Sequence, residues 1–122
     1  MTDIQIKRIY EAVNPEDGYR VLVDRIWPRG VAKARAGVDL WLKEAAPSTV
    51  LRHWFNHDPL HWKEFKSRYF RELDGKPDIV SSLIKKAEMN RLTLLFSAKD
   101  LEFNQAAALK EYLIGKSRPK ES

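Results

Sequence analysis

The sequence predicts an α/β fold: a small three-layer sandwich in which a short, mainly parallel sheet is covered by helices on both faces. The run VLV (residues 21–23) is too continuously apolar for a strand with one wet face, and LTLLF (residues 92–96) marks another strand. The long stretch between them reads as helical, so the two strands need a crossover and should pair in parallel. With 122 residues, 43% of them hydrophobic and 11% aromatic, the chain has enough apolar surface for one core. The expected organisation is a single α/β domain over residues 1–115 and a disordered basic tail over 116–122.

Ile4 and Ile6 alternate in a β-branched run, closed by the turn cluster Asn14, Pro15, Asp17 and Gly18. This makes a first strand whose direction the pattern leaves open. Arg20 to Val23 forms the second strand. Asp39 is placed to cap a short helix in DLWLKEAA that Pro47 ends, and Ser48 to cap another carrying Val50, Leu51, Trp54 and Phe55 on one side. Asp58 followed by Pro59 starts the clearest helix, with Trp62, Phe65, Tyr69 and Leu73 as its apolar stripe. Asp74, Gly75 and Pro77 break it. Ile79, Val80, Leu83, Ile84 and Ala87 mark the next helix, ending near Asn90. Leu92 to Phe96 is the third strand, and the last helix carries Ala106, Ala107, Leu109, Tyr112 and Leu113, with Gly115 as its stop.

The chain has no cysteine, which excludes disulfides, thiolate metal sites and cysteine nucleophiles. It also lacks a long apolar run and a signal-like N-terminus, so the expected location is the cytoplasm, with no membrane partner. A net charge of +5 favours acidic partners, phosphates or nucleic acid, although Lys116, Arg118 and Lys120 of the tail supply part of the excess. The aromatic residues between Trp41 and Phe70 follow helical spacing and read as core, not as a base-stacking surface. His53, His57 and His61 are spaced by four, but Pro59 interrupts any single helix through them, so no metal site is expected. Nor does the chain carry a glycine-rich phosphate loop, a nucleophile elbow or an HExxH helix, and the sequence leaves any cofactor unknown.

In open α/β sheets, ligands bind beyond the carboxyl ends of the strands. Two polar stretches lie there, DRIWPRG after the second strand and SAKDLEFN after the third. In the first, Arg25 and Arg29 suit a phosphate or carboxylate, and Asp24 either orients an arginine or acts as a general base, with Pro28 and Gly30 shaping the turn. The structural alternative is an ion pair at a strand end, with Trp27 in the core. In the second stretch Ser97, Lys99, Asp100 and Asn104 are either turn formers or further site residues. Two neighbouring strands would bring Asp24 and Asp100 together as a carboxylate pair, the candidate catalytic groups, with one pKa raised by the other charge.

The stretches VLVDRIWPRG, DLWLKEAAPS, LRHWFNHDPLHW, EFKSRYFREL and TLLFSAKDLEFNQAAAL closely resemble the YeaO-like proteins, a branch of the bacterial family of domains of unknown function 488. The resemblance implies a compact single-domain α/β protein. The wider family typically has Asp-Val-Arg and Pro-x-Ser after its strand, matched here by Asp24, Arg25 and Pro28. It also has Leu-Cys-x-Glu followed by Cys-His-Arg, where this chain carries Phe96 for the cysteine, Ala98 for the glutamate, and Asn104, Gln105 and Ala106 for the triplet. Thiol or imidazole chemistry at those positions is therefore closed to it. Trp27, Arg29, Gly30, His57, Asp58, Asp100 and Asn104 match the narrower branch. The leading expectation is an arginine-containing pocket at the strand ends for a small anionic or nucleotide-like ligand. The alternative is a nucleic-acid-associated or regulatory binding module without catalysis.

Overall fold

The computed structural model describes residues 2–117. Its sheet has four strands, β1 (Ile4–Arg8), β2 (Tyr19–Leu22), β3 (Leu40–Trp41) and β4 (Leu92–Phe96), in the order β1-β4-β2-β3. Every neighbouring pair is parallel, which settles the direction of the first strand: Ile4 lies opposite Leu92 and Arg8 opposite Phe96. All residues of β4 are buried, as befits a strand flanked on both sides, with the hydroxyl of Thr93 donating to the Asp17 carbonyl.

The pleat sends alternate side chains to two unlike faces. Ile4, Val21, Val23, Leu92, Leu94 and Phe96 belong to the main core, with side chains from α1 (Thr49–Phe55), α2 (Trp62–Asp74), α3 (Pro77–Met89) and α4 (Gln105–Ser117). Leu22 and Leu95 instead join Ile9 and Ala36 in a smaller cluster with Trp27, Val31, Val38 and Trp41. The third layer is therefore thin, formed by the chain around the 3-10 turn Lys33–Arg35. Beside it, the same face buries a charged group: Asp17 accepts from Gln5, Lys7 and Arg20, and both Asp17 and Arg20 are 3% exposed.

The helix expected in DLWLKEAA is absent. Asp39 N–H donates to the Arg20 carbonyl and its carboxylate accepts from Arg20 N–H, so the segment begins as the edge strand β3 and ends in the 3-10 turn Lys43–Ala45. A free strand edge captured a residue suited to capping. Ser48 does cap α1, its Oγ accepting from Leu51 N–H, and Asp58 accepts from Leu60 N–H in the 3-10 turn that leads into α2. Phe65, Tyr69 and Leu73 are buried as their spacing predicts. Gly115 does not stop α4, which runs to Ser117 and so includes Lys116 of the expected tail. Residues 118–122 of that tail lie outside the described residues.

Candidate functional site

Because β2 and β4 are parallel neighbours, the loops after them leave the sheet side by side. Asp24 joins them. Its Oδ2 accepts from the Ser97 amide at 3.1 Å and the Ser97 hydroxyl at 2.5 Å, and its Oδ1 accepts from Gln105 Nε2 at the start of α4. Its carbonyl accepts from Trp41 Nε1 at 2.7 Å. Asp24 is 7% exposed. That burial pushes its carboxyl above the usual carboxylate value, against the pull of the Ser97 and Gln105 hydrogen bonds and the Arg52 charge.

A cavity of about 340 Å³ opens at this edge. It is lined by residues 24–29, by Ala46 and Pro47, by Arg52, Phe55, His57 and Phe65, and by Ser97, Ala98 and residues 103–105. Arg25 is partly committed within it, donating from Nε to the Pro47 carbonyl and from Nη2 to the Ala46 carbonyl. That wall is pinned from behind by the Tyr69 hydroxyl, which donates to the Ala45 carbonyl. The Arg29 and Arg52 side chains are exposed and make no ion pair among the described residues. Trp27 is held by its own hydrogen bond to the Val31 carbonyl and by an edge-on contact with Trp41 at 5.3 Å. His57 reaches the cavity from an unusual backbone: it and Asn56 are consecutive left-handed residues, with φ of 55° and 44°.

Of the residues the sequence singles out, the cavity brings together Asp24, Arg25, Trp27, Arg29, His57, Ser97 and Asn104. Gly30, Asp58, Lys99 and Asp100 are not in its lining. Gly30 turns the chain at φ 78°, and Asp58 is a capping residue facing His61. Asp100 closes the turn into α4, its Oδ1 accepting from the Glu102 and Phe103 amides, and those bonds hold its carboxyl below the usual value. Asp100 does not line the cavity that Asp24 lines, and burial is the first cause of the rise at Asp24. Asn104 is also committed, accepting from the Ala107 amide and donating to the Asp100 carbonyl.

Sequence reasoning missed Arg52, Gln105, Phe55, Phe65 and Phe103. Arg52 and Phe55 stand three apart on α1, a spacing that shares a helix face, and Gln105 opens the helix that follows a central strand. Those local signals existed, but nothing local says which face meets a cavity. Among the described residues no group of three or more His, Cys, Asp or Glu is arranged to hold a metal ion. His61 stacks on Trp54 at 4.5 Å instead. No helix among the described residues is long and apolar enough to cross a membrane.

A family model described as the inactive DUF488-N3 subclade matches residues 3–121. The uncharacterised protein YeaO of Escherichia coli (strain K12) is 40% identical over 111 residues, covering 91% of this chain and 96% of its own. An uncharacterised protein of Mycobacterium tuberculosis (strain ATCC 25618 / H37Rv) is 38% identical over 115 residues, covering 94% and 97%; one of Mycobacterium bovis matches to the same extent. No solved structure gives a significant match.

Proposed function

The chain belongs to the inactive DUF488-N3 subclade, and from that premise we propose that it is a cytosolic binding protein that holds a small anionic or nucleotide-like ligand at its strand ends without converting it. The observation that carries the reading is the pairing of two exposed guanidinium groups, Arg29 and Arg52, neither ion-paired among the described residues, with a mostly apolar cavity. Guanidinium groups bind phosphate and carboxylate through paired donors, and apolar walls strengthen that attraction by excluding water.

Binding without turnover fits what occupies the positions where the wider family, by resemblance, carries its Leu-Cys-x-Glu and Cys-His-Arg stretches. Phe96 is 1% exposed in the core, and Ala98 offers only a carbonyl, to Arg8. Asn104 is a helix cap, and Gln105 donates to Asp24. Each supports the fold where a reactive group would otherwise stand.

The test is thermal unfolding of the full chain in rising inorganic phosphate and small organic phosphates at constant ionic strength, beside R29A and R52A. A ligand at a hundred times its Kd stabilises by about 2.7 kcal/mol, several degrees in Tm. We expect that shift in the parent protein and its loss in both variants, whose unliganded Tm stays near the parent's. Equal shifts in all three proteins would refute the reading. A nucleic-acid binder would instead lose DNA or RNA affinity steeply with salt.

A further inference from the structure

We propose that the occupant of this cavity carries a flat aromatic ring as well as its anion, and is a free nucleoside monophosphate, seated with the ring inward and the phosphate at the mouth. This rests on the anion-binding reading above and narrows it. Rings from separate segments line the space: Trp27 from the loop after β2, Phe55 from α1, Phe65 from α2 and Phe103 from the turn before α4. Phe55 and Phe65 are themselves stacked at 4.3 Å, and Trp62 braces Phe103 edge-on at 5.4 Å. Phe55 and Phe65 are buried and form the floor, so the ring surface offered to an occupant is that of the half-buried Trp27 and Phe103, which suits a planar ring better than a bare inorganic anion.

Charge sets the orientation. The buried charged group of the lining is the Asp24 carboxylate, already accepting from Ser97 and Gln105, and it repels an anion placed deep in the cavity. The exposed Arg29 and Arg52 attract the phosphate at the mouth. Gln105 donates through Nε2 to Asp24, which leaves its Oε1 to accept from a ring N–H. A ring with both an apolar face and an N–H edge describes a nucleobase better than a phenyl group.

Calorimetric titration of the full chain tests this with AMP, GMP, CMP, UMP, ribose 5-phosphate and inorganic phosphate. At least one nucleotide is expected to bind about ten-fold or more tightly than both ring-free probes, as a stacked ring contributes. F103L, which keeps apolar bulk and removes the ring, should bring that nucleotide to within about three-fold of ribose 5-phosphate, and R52A should weaken the nucleotide and phosphate alike. Circular dichroism checks that both variants fold. Equal affinity for ring-bearing and ring-free probes overturns the ring and leaves the anion reading standing. Binding of none of the six probes overturns both. A single-stranded tetranucleotide that binds more tightly than every monophosphate overturns the free-nucleotide form, since the same chemistry would then come from a strand.

Discussion

Asp17 and Asp24 are both buried, yet their surroundings send their carboxyl groups in opposite directions. At Asp17 burial raises the pKa, but hydrogen bonds from Lys7, the Asn14 amide and Arg20 outweigh it, and the net value is lowered. Stability from such a group is present above the unfolded pKa and lost as pH falls through the folded one. At Asp24 burial wins. The folded chain then holds that proton more tightly than the unfolded chain, so the contribution is present at low pH and fades as pH rises through the raised value. Urea unfolding of D17N and D24A at pH 4 and pH 7 separates the two. D17N should cost about 3–5 kcal/mol at pH 7, the penalty for breaking a buried ion pair from one side, and less at pH 4. D24A, which strips buried donors of their acceptor, should cost more at pH 4 than at pH 7. The same pH sign in both variants would contradict the assignment.

Elements were legible wherever one local pattern had no competitor. VLV announced a central strand, LTLLF a further strand, and the stripe from Trp62 to Leu73 announced α2, because each pattern is satisfied by a single structure. DLWLKEAA failed for the opposite reason: a carboxylate that can cap a helix can equally cap a strand amide, and the choice at Asp39 was made by the distant Arg20. Gly18 shows a tertiary demand of the same kind. It adopts φ 67°, and a Cβ there would collide with the Arg91 carbonyl, which also accepts from Tyr19 N–H where β2 begins to pair with β4. Gly30 has a similar φ of 78° but open space around it. G18A should therefore lose about 3 kcal/mol or more, through both strain and a damaged first rung, whereas G30A should lose about 1 kcal/mol from backbone conformation alone. Equal urea midpoints for the two variants would refute the distinction.

On the scale of the whole molecule, the sequence indicated where a cavity should lie but not everything that lines it. Asp24 and Arg25 were visible because charged residues broke an apolar strand at its carboxyl end. Arg52 and Phe65 come from helices whose docking onto the sheet no local pattern encodes. The same holds for the division of labour between the faces. Four helices back one face, while a thin segment covers the other, and Trp41 ties that segment to the sheet and the cavity. Its ring meets Trp27 edge-on, Lys43 sits 4.4 Å above it, and its Nε1 holds the Asp24 carbonyl. W41A should lower stability by about 2–3 kcal/mol, below the full cost of deleting a core tryptophan because Trp41 is only half-buried. W41F keeps most of the packing and should lose about 1 kcal/mol with the hydrogen bond. Since Trp27 is a cavity wall braced by Trp41, phosphate stabilisation should fall further in W41A than in W41F. If W41A leaves both the urea midpoint and the phosphate response unchanged, the thin layer is mere covering and does not hold the site.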